Sequence, residues 1–153
     1  MPNLENRIPP PLVAALFALV MWVISIVLPA IEMNAVAQVA LSLAALAAGL
    51  FFCIAGIVSF RKAKTTVNPL KPETATSLVN SGIYTISRNP MYVGFALLLS
   101  AWAVYLSSPW VIIGIVGFVL YMNRLQIMPE ERALKEIFGS EFLTYQTKVR
   151  RWL

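Results

Sequence analysis

The longest uncharged stretch of this chain runs from Asn89 to Asn123 and contains 35 residues. As one helix it would be about 52 Å long at roughly 1.5 Å per residue, which is too long for a single crossing of a hydrocarbon core about 30 Å thick. Near its middle, Ser107-Ser108-Pro109 is a typical turn sequence. We therefore predict a helical hairpin with arms at about residues 91–106 and 109–128.

Two more uncharged stretches come before this hairpin. Residues 12–31 and residues 35–60 are each long enough for a membrane-spanning helix, and the many small residues of the second favour close helix packing. Composition agrees, because 59% of the chain is hydrophobic and 12% is charged, against about 25% charged in soluble domains. The predicted fold is an all-α integral membrane domain, residues 1–153, with four transmembrane helices.

The basic residues indicate how this domain is oriented. All 12 Lys and Arg residues lie before the first helix, in the loop at 61–90, or after the uncharged part of the hairpin, whereas the connectors at 30–34 and 107–108 contain none. The positive-inside rule places such basic segments in the cytoplasm. We expect a multi-pass protein of the cell inner (plasma) membrane, with cytoplasmic N and C termini. Its net charge of +5 then reflects topology and contact with membrane lipids, and we expect no nucleic-acid partner.

Several kinds of chemistry are excluded by composition. The sequence has no histidine and no aspartate, and Cys53 is its only cysteine. Histidine acid–base catalysis, Ser-His-Asp triads and a disulfide framework are therefore ruled out. We expect no metal cofactor either, because no His or Cys cluster is present to hold one.

The segment at 129–153 is predicted to form an amphipathic cytoplasmic tail. Pro129 followed by Glu130 and Glu131 is a favourable helix start. Apolar residues then recur every three or four positions: Leu134, Phe138, Phe142, Tyr145, Val149 and Trp152. Such a stripe is typical of helices that lie on a membrane surface, so we expect it to rest on the cytoplasmic face of the bilayer.

Two polar clusters stand at the cytoplasmic ends of the hairpin. One occupies residues 77–94, before the first arm, and the other is Glu130-Glu131, after the second. Because the hairpin leaves and re-enters on the same side, we expect the clusters to meet in one site beside the lipid. Each residue alone also has an ordinary structural explanation, such as Arg88 as a snorkelling anchor and Tyr84 or Tyr92 as interfacial aromatics.

As ordered strings the clusters are more specific. The first reads Ser-Gly-Ile-Tyr-x-x-x-Arg-Asn-Pro-Met-Tyr-Val-Gly over residues 81–94, and the second reads Glu-Glu-x-x-Leu-x-x-x-Phe-Gly-x-x-Phe-x-x-Tyr-x-x-x-Val-Arg-Arg over residues 130–151. Together they resemble the isoprenylcysteine carboxyl methyltransferase and phospholipid methyltransferase superfamily of integral membrane enzymes. The resemblance covers about residues 65–151, and the first two helices match only in type.

This resemblance implies an S-adenosylmethionine-dependent methyltransferase with a lipophilic acceptor that enters from the bilayer. Catalytic roles would fall on Arg88, Tyr92 and Glu130. The residues implied in cofactor binding are Thr76, Ser77, Leu78, Val79, Tyr84, Asn89, Pro90, Met91, Tyr92 and Glu130. A guanidinium or backbone N–H groups suit the carboxylate of this cofactor, and a carboxylate suits its ammonium or ribose.

Two positions depart from the superfamily pattern. Asn89 stands where the superfamily has a histidine, and it cannot titrate. Gln126 stands where the isoprenylcysteine branch has an arginine for the substrate carboxylate, and Arg124 is the nearest arginine. Gln126 and Arg124 are therefore substrate-binding candidates, and the acceptor stays open among an isoprenylcysteine-like molecule, a phospholipid amine and a small thiol.

Two other functions remain as alternatives. A non-catalytic scaffold that keeps the methyltransferase fold is consistent with Asn89 and Gln126. A small four-helix transporter is less consistent with the sequence, because proton coupling needs an ionisable residue deep in a helix. Glu32 is the only acidic residue near a helix of the first half, and it lies beside a connector.

Overall fold

The computed structural model describes residues 5, 7–63 and 75–153. Within these ranges the chain is helical and contains no β-strand, which confirms the predicted all-α class. The helices are α1 (Pro10–Val27), α2 (Ala35–Lys62), α3 (Pro90–Leu106), α4 (Ile112–Tyr121), α5 (Met128–Phe138) and α6 (Ser140–Lys148). Short 3₁₀-helices form at Gly82–Thr85 and Pro109–Val111, and a π-helix forms at Met122–Ile127. Of the predicted loop at 61–90, residues 64–74 lie outside the described residues.

The helices have the length and composition of membrane spans. Pro10–Val27, Ala35–Lys62 and Pro109–Phe138 are each long and apolar enough to cross a bilayer, and Pro90–Leu106 is a shorter apolar helix. Large apolar side chains such as Val36 and Ile113 are exposed along them. A surface of this kind is stable in lipid and not in water, so the chain is a membrane protein.

The first helix is shorter than its uncharged stretch. Our prediction placed its end near residue 31, but α1 ends at Val27. Leu28 is already extended (φ −107°, ψ 150°) because Pro29 follows it, and a residue before proline is pushed out of the α region. The boundary prediction was therefore wrong by about one helical turn.

Helices α2 and α3 pack against each other at two facing glycines. A Cβ atom on Gly94 would lie 2.8 Å from the carbonyl oxygen of Gly49, and one on Gly49 would lie 2.9 Å from that of Gly94. The backbones can approach this closely only because neither residue has a side chain. The crossing fixes the first turns of α3, which carry Met91 and Tyr92.

The second arm of the hairpin continues through Pro129 without a break. We predicted that this arm ends near 128 and that a new helix starts at Pro129, but α4, the π-helix and α5 form one continuous helix to Phe138. A proline inside a helix lacks an N–H donor and crowds the carbonyl one turn earlier. The π-helix directly before α5 accommodates this defect, and π segments often occur at functional sites.

The chain turns between α3 and α4 at Ser107, which has φ 51°, and Ser108. Helix α1 packs against both arms, and the indole Nε1 of Trp102 donates a hydrogen bond of 3.0 Å to the carbonyl oxygen of Ala18. The start of α3 lies beside the first turn of α5, where the Tyr92 hydroxyl contacts Glu130.

The apolar stripe of the tail faces protein. Phe142, Tyr145 and Val149 are buried together with Ile83 and Tyr84, and Leu134 and Phe138 pack against this cluster. This corrects our expectation that the stripe rests on lipid. The partner surface is the 3₁₀ turn before α3, a short element that hydrophobic periodicity does not reveal.

Candidate active site

The carboxylate of Glu130 is the centre of a polar cluster that also contains Tyr92 and Gln126, which we call the Glu130 cluster. It lies at the open end of the hairpin, the end opposite the turn at Ser107. Oε1 of Glu130 accepts a hydrogen bond of 2.5 Å from the Tyr92 hydroxyl and one of 2.6 Å from Nε2 of Gln126. Tyr92 is 5% exposed and Gln126 is 2% exposed, so both donors lie inside the protein. The structure thus brings together three residues that the sequence analysis singled out, although Tyr92 lies 38 positions before Glu130.

Glu130 has no cationic partner among the described residues. The ion pairs within these ranges join Glu131 to Arg88, Glu131 to Arg151, and Glu5 to Arg132. Within these ranges the donors to Glu130 are neutral, so no protein cation compensates a negative charge on this carboxylate. The cluster is therefore suited to receive a positively charged or hydroxyl-bearing group.

Glu131, the next residue, is in the opposite electrostatic situation. Its Oε1 accepts hydrogen bonds from Nη2 of Arg88 at 2.7 Å and from Nε of Arg151 at 3.1 Å, and its Oε2 accepts one from Nη2 of Arg151 at 2.6 Å. Two adjacent glutamates on one helix turn thus point to different surroundings. Glu131 is paired with two arginines, and within the described residues Glu130 is held by neutral donors only.

The guanidinium of Arg88 forms hydrogen bonds to the tail, residues 129–153. Besides Glu131, it contacts the carbonyl oxygens of Val149 and Gln146, with Nη1 at 2.7 Å and 3.3 Å respectively. Its Nε is buried and has no hydrogen-bond partner within the described ranges. Arg88 therefore joins the segment before α3 to α5 and to the end of α6.

Tyr84 lies close to the cluster and stays protonated. Its ring packs edge-on against Phe60 with centroids 5.4 Å apart, and its carbonyl accepts a 2.7 Å hydrogen bond from the Tyr145 hydroxyl. Burial raises the pKa of Tyr84 far above its ordinary value, and the nearby Tyr145 and Glu130 raise it further. Burial also raises the pKa of Tyr145, against the opposing effect of Arg88. Both phenols are therefore neutral at physiological pH.

The segment before Tyr84 runs past the end of α2. Thr76 is exposed, Ser77 donates a 3.1 Å hydrogen bond to the carbonyl oxygen of Ala63, Leu78 is half-buried and Val79 is buried. Phe60 near the end of α2, Ala63 directly after α2, and Leu78 all pack against the buried cluster that contains Val79 and Tyr84. The segment thus forms one wall of the open end of the bundle.

The remaining predicted residues lie at the start of α3 or on the π-helix. Pro90 is the first residue of α3, and Met91 packs on Gly56 of α2. Asn89 donates a 3.0 Å hydrogen bond through Nδ2 to the carbonyl oxygen of Arg151. Arg124 is exposed, and the structure does not bring it to the Glu130 cluster. It lies two residues before Gln126, on the opposite side of the helix.

Comparison with known proteins identifies the family. The family model described as phospholipid methyltransferase matches residues 37–141, which include most of α2, the hairpin and Glu130. This chain belongs to the phospholipid methyltransferase family. It is therefore a membrane methyltransferase of the superfamily that its two sequence strings resemble.

Two known proteins are similar in sequence to this member of the phospholipid methyltransferase family. An uncharacterized protein of Haemophilus influenzae is 41% identical over 63 residues, which are 41% of this chain and 100% of that protein. Protein-S-isoprenylcysteine O-methyltransferase B of Arabidopsis thaliana is 29% identical over 96 residues, or 61% of this chain. The match spans 47% of the plant enzyme, about half its length. No solved structure matches the chain.

Sequence reasoning missed the role of the last residues in this family member. Arg151 pairs with Glu131, and Nε1 of Trp152 donates a 3.0 Å hydrogen bond to Oδ1 of Asn123 on the π-helix. Arg151 ends the second string, but spacing alone gave it no partner. The signal that could have found it is the second glutamate, which needs a cation once it is buried.

Proposed function

We propose that this protein transfers a methyl group from S-adenosylmethionine to a lipophilic acceptor that enters from the bilayer. The observation that carries the proposal is Glu130, a partly buried carboxylate fixed by Tyr92 and Gln126 with no cation beside it in the described parts of the chain. S-adenosylmethionine, when bound, supplies an electrophilic methyl group on a positively charged sulfonium, and it also carries an ammonium. The residues present fit such a ligand.

Different residues of the chain bind different parts of the ligand. Glu130 pairs with a positively charged group of the ligand or accepts a hydrogen bond from a ribose hydroxyl, and Tyr92 holds the Glu130 carboxylate in place. The neutral ring of Tyr84 and the backbone of residues 76–79 form the neighbouring wall, where a flat apolar group can pack. These contacts hold and orient, and they exclude water from the reacting atoms, which is most of what a displacement reaction requires.

The surroundings of the cluster also favour one kind of acceptor. Arg88 is bound to Glu131 and to tail carbonyls, Arg124 is exposed on another side, and Gln126 donates to Glu130. Within the described residues of the cluster, no cation is left to hold a carboxylate. We therefore favour a neutral or amine-bearing lipophile over a carboxylate acceptor.

The same proposal includes a topology. With four crossings, by α1, α2, α3 and the helix from Pro109, we expect the cluster at the cytoplasmic end of the bundle. The exposed basic residues Arg61, Lys62, Lys148 and Arg150 support this orientation, because the positive-inside rule places basic segments in the cytoplasm. The acceptor then reaches the site sideways from the lipid, and the cofactor reaches it from the cytoplasm.

Isothermal titration of the detergent-solubilised protein with S-adenosylmethionine and S-adenosylhomocysteine tests the proposal. We expect saturable binding of both ligands, and Glu130→Gln should weaken binding of S-adenosylmethionine at least about ten-fold, since a charged hydrogen bond contributes roughly 1.5–3 kcal/mol. Glu141→Gln is the matched control because Glu141 is exposed on α6; it should bind like the unsubstituted protein. Absence of binding at millimolar ligand in folded protein, also in lipid nanodiscs, would overturn the proposal in favour of a scaffold.

A further inference from the structure

The last residues of the chain form a strap across the open end of the hairpin, which we define as residues 149–153. Its backbone is held before α3, where Arg88 N–H donates to the carbonyl oxygen of Arg150 at 2.9 Å and Nδ2 of Asn89 donates to that of Arg151 at 3.0 Å. On the other side, Trp152 donates to Asn123 at 3.0 Å. The strap therefore bridges the two chain segments that build the Glu130 cluster.

From this strap, the side chain of Arg151 reaches the first turn of α5. Its Nε and Nη2 contact the two oxygens of Glu131 at 3.1 Å and 2.6 Å, a two-pronged arrangement that fixes direction as well as distance. Arg88 contacts the same carboxylate at 2.7 Å. The Glu131 side chain is 15% exposed and that of Arg88 is 12% exposed, so their contact is only weakly screened by water, whereas Arg151 is 37% exposed and holds the outer side of the same carboxylate.

Side-chain contacts are important for the orientation of the first turn of α5. Pro129 supplies no backbone N–H, and the preceding turns are a π-helix, whose hydrogen bonding differs from that of the helix on either side. The rotation of this turn about the helix axis is therefore less firmly set by backbone bonds than elsewhere. Glu130 and Glu131 are adjacent and separated by about 100° around the helix. A contact that fixes Glu131 thus also sets the direction in which Glu130 points.

We infer that Arg151 is a positioning residue for the methyl-donor site: by holding Glu131, it orients α5 so that the Glu130 carboxylate faces Tyr92. The inference rests on the proposed function, since it assigns Arg151 a part in binding S-adenosylmethionine without any contact to that ligand. It also gives the strap a role in the site.

Titration of purified protein with S-adenosylmethionine separates positioning from simple stabilisation. A variant in which part of the protein is irreversibly misfolded, but whose folded molecules keep an intact site, has a lower stoichiometry at an unchanged Kd; a melting temperature well above the titration temperature excludes a reversible unfolding contribution to the Kd. A variant whose site is misaligned keeps its stoichiometry and has a higher Kd. We expect Arg151→Ala to raise the Kd about ten-fold or more with unchanged stoichiometry, because small misplacements within a site cost up to about 100-fold.

Arg150→Ala is the matched control. It removes the same charge from the same strap, but Arg150 is exposed, and within the described ranges its side chain has no hydrogen bond or ion pair. Its Kd should equal that of the unsubstituted protein. A Kd that rises equally in both variants would overturn the inference, because net charge alone would then explain the effect.

A second variant keeps the test decisive if Arg151→Ala does not fold. Arg151→Lys keeps a cation beside Glu131 and leaves the Arg88–Glu131 pair in place, but an ammonium cannot make the two-pronged contact of a guanidinium. We expect a rise in Kd from this variant too, with unchanged stoichiometry. An unchanged Kd in any folded Arg151 variant would overturn the inference alone, whereas absence of binding by the unsubstituted protein would overturn the proposed function and this inference with it.

Discussion

At the residue scale, we expect the two neighbouring glutamates of α5 to affect the free energy of unfolding differently. Glu131 is paired with two arginines, and removing its charge leaves Arg88, which is 12% exposed, without its carboxylate. Glu130 is held by neutral donors only within the described residues. We expect Glu131→Gln to lower the free energy of unfolding by roughly 3 kcal/mol, and Glu130→Gln to leave it unchanged or raise it.

Thermal unfolding in detergent, without added ligand, measures both effects at this scale. Glu136→Gln serves as the control because Glu136 is exposed on the same helix, and its melting temperature should not move. A Glu130→Gln variant that melts well below the Glu131→Gln variant would contradict our assignment of Glu131 as the structural carboxylate and Glu130 as the ligand-binding one.

At the scale of elements, the crossing of α2 and α3 determines where Tyr92 lies. A methyl group on Gly94 would meet the backbone of Gly49, which cannot move aside as a side chain can. Gly94→Ala should therefore separate the helices and cost roughly 1–3 kcal/mol of stability. Because Gly94 is two residues from Tyr92, the same change should weaken binding of S-adenosylmethionine.

Gly117→Ala is the comparison for this prediction. A Cβ atom there would lie 2.7 Å from Cε1 of Phe17, the outer edge of a ring that can shift. Its effect on the melting temperature should be smaller than that of Gly94→Ala, and its ligand affinity should be unchanged. Equal melting temperatures for the two variants would mean that the glycine crossing does not constrain the bundle.

At the scale of the whole molecule, charge and hydropathy were enough to predict the all-α class and the apolar helices that can cross a membrane. The predicted hairpin topology also led us to expect the two polar clusters together, and the structure places Tyr92 beside Glu130. These features could be predicted because the lipid core limits the chain to helices of a fixed length. The ordered strings then predicted the methyltransferase family, which the family model bears out.

Other features depend on tertiary contacts that no local pattern encodes. The π-helix lets the second arm continue through Pro129, so a proline that normally marks a helix start lies inside a continuous helix. The tail stripe is covered by the 3₁₀ turn that carries Tyr84, and Arg151 finds Glu131 across 20 positions of sequence. Periodicity shows that a face is apolar or that a charge needs a partner, but it does not say which surface or which residue supplies it.

The orientation of the whole bundle leads to the last prediction. With four crossings, the connector that contains Glu32 and the helix that contains Glu141 lie on opposite sides of the membrane, and both residues are exposed. In a Cys53→Ala background, Glu32→Cys should react with a membrane-impermeant maleimide in intact cells. Glu141→Cys should react only after the membrane is opened, because basic segments remain in the cytoplasm. The background protein without an added cysteine should stay unlabelled. Labelling of Glu141→Cys in intact cells would place the Glu130 cluster outside the cytoplasm, where a cytoplasmic methyl donor could not reach it.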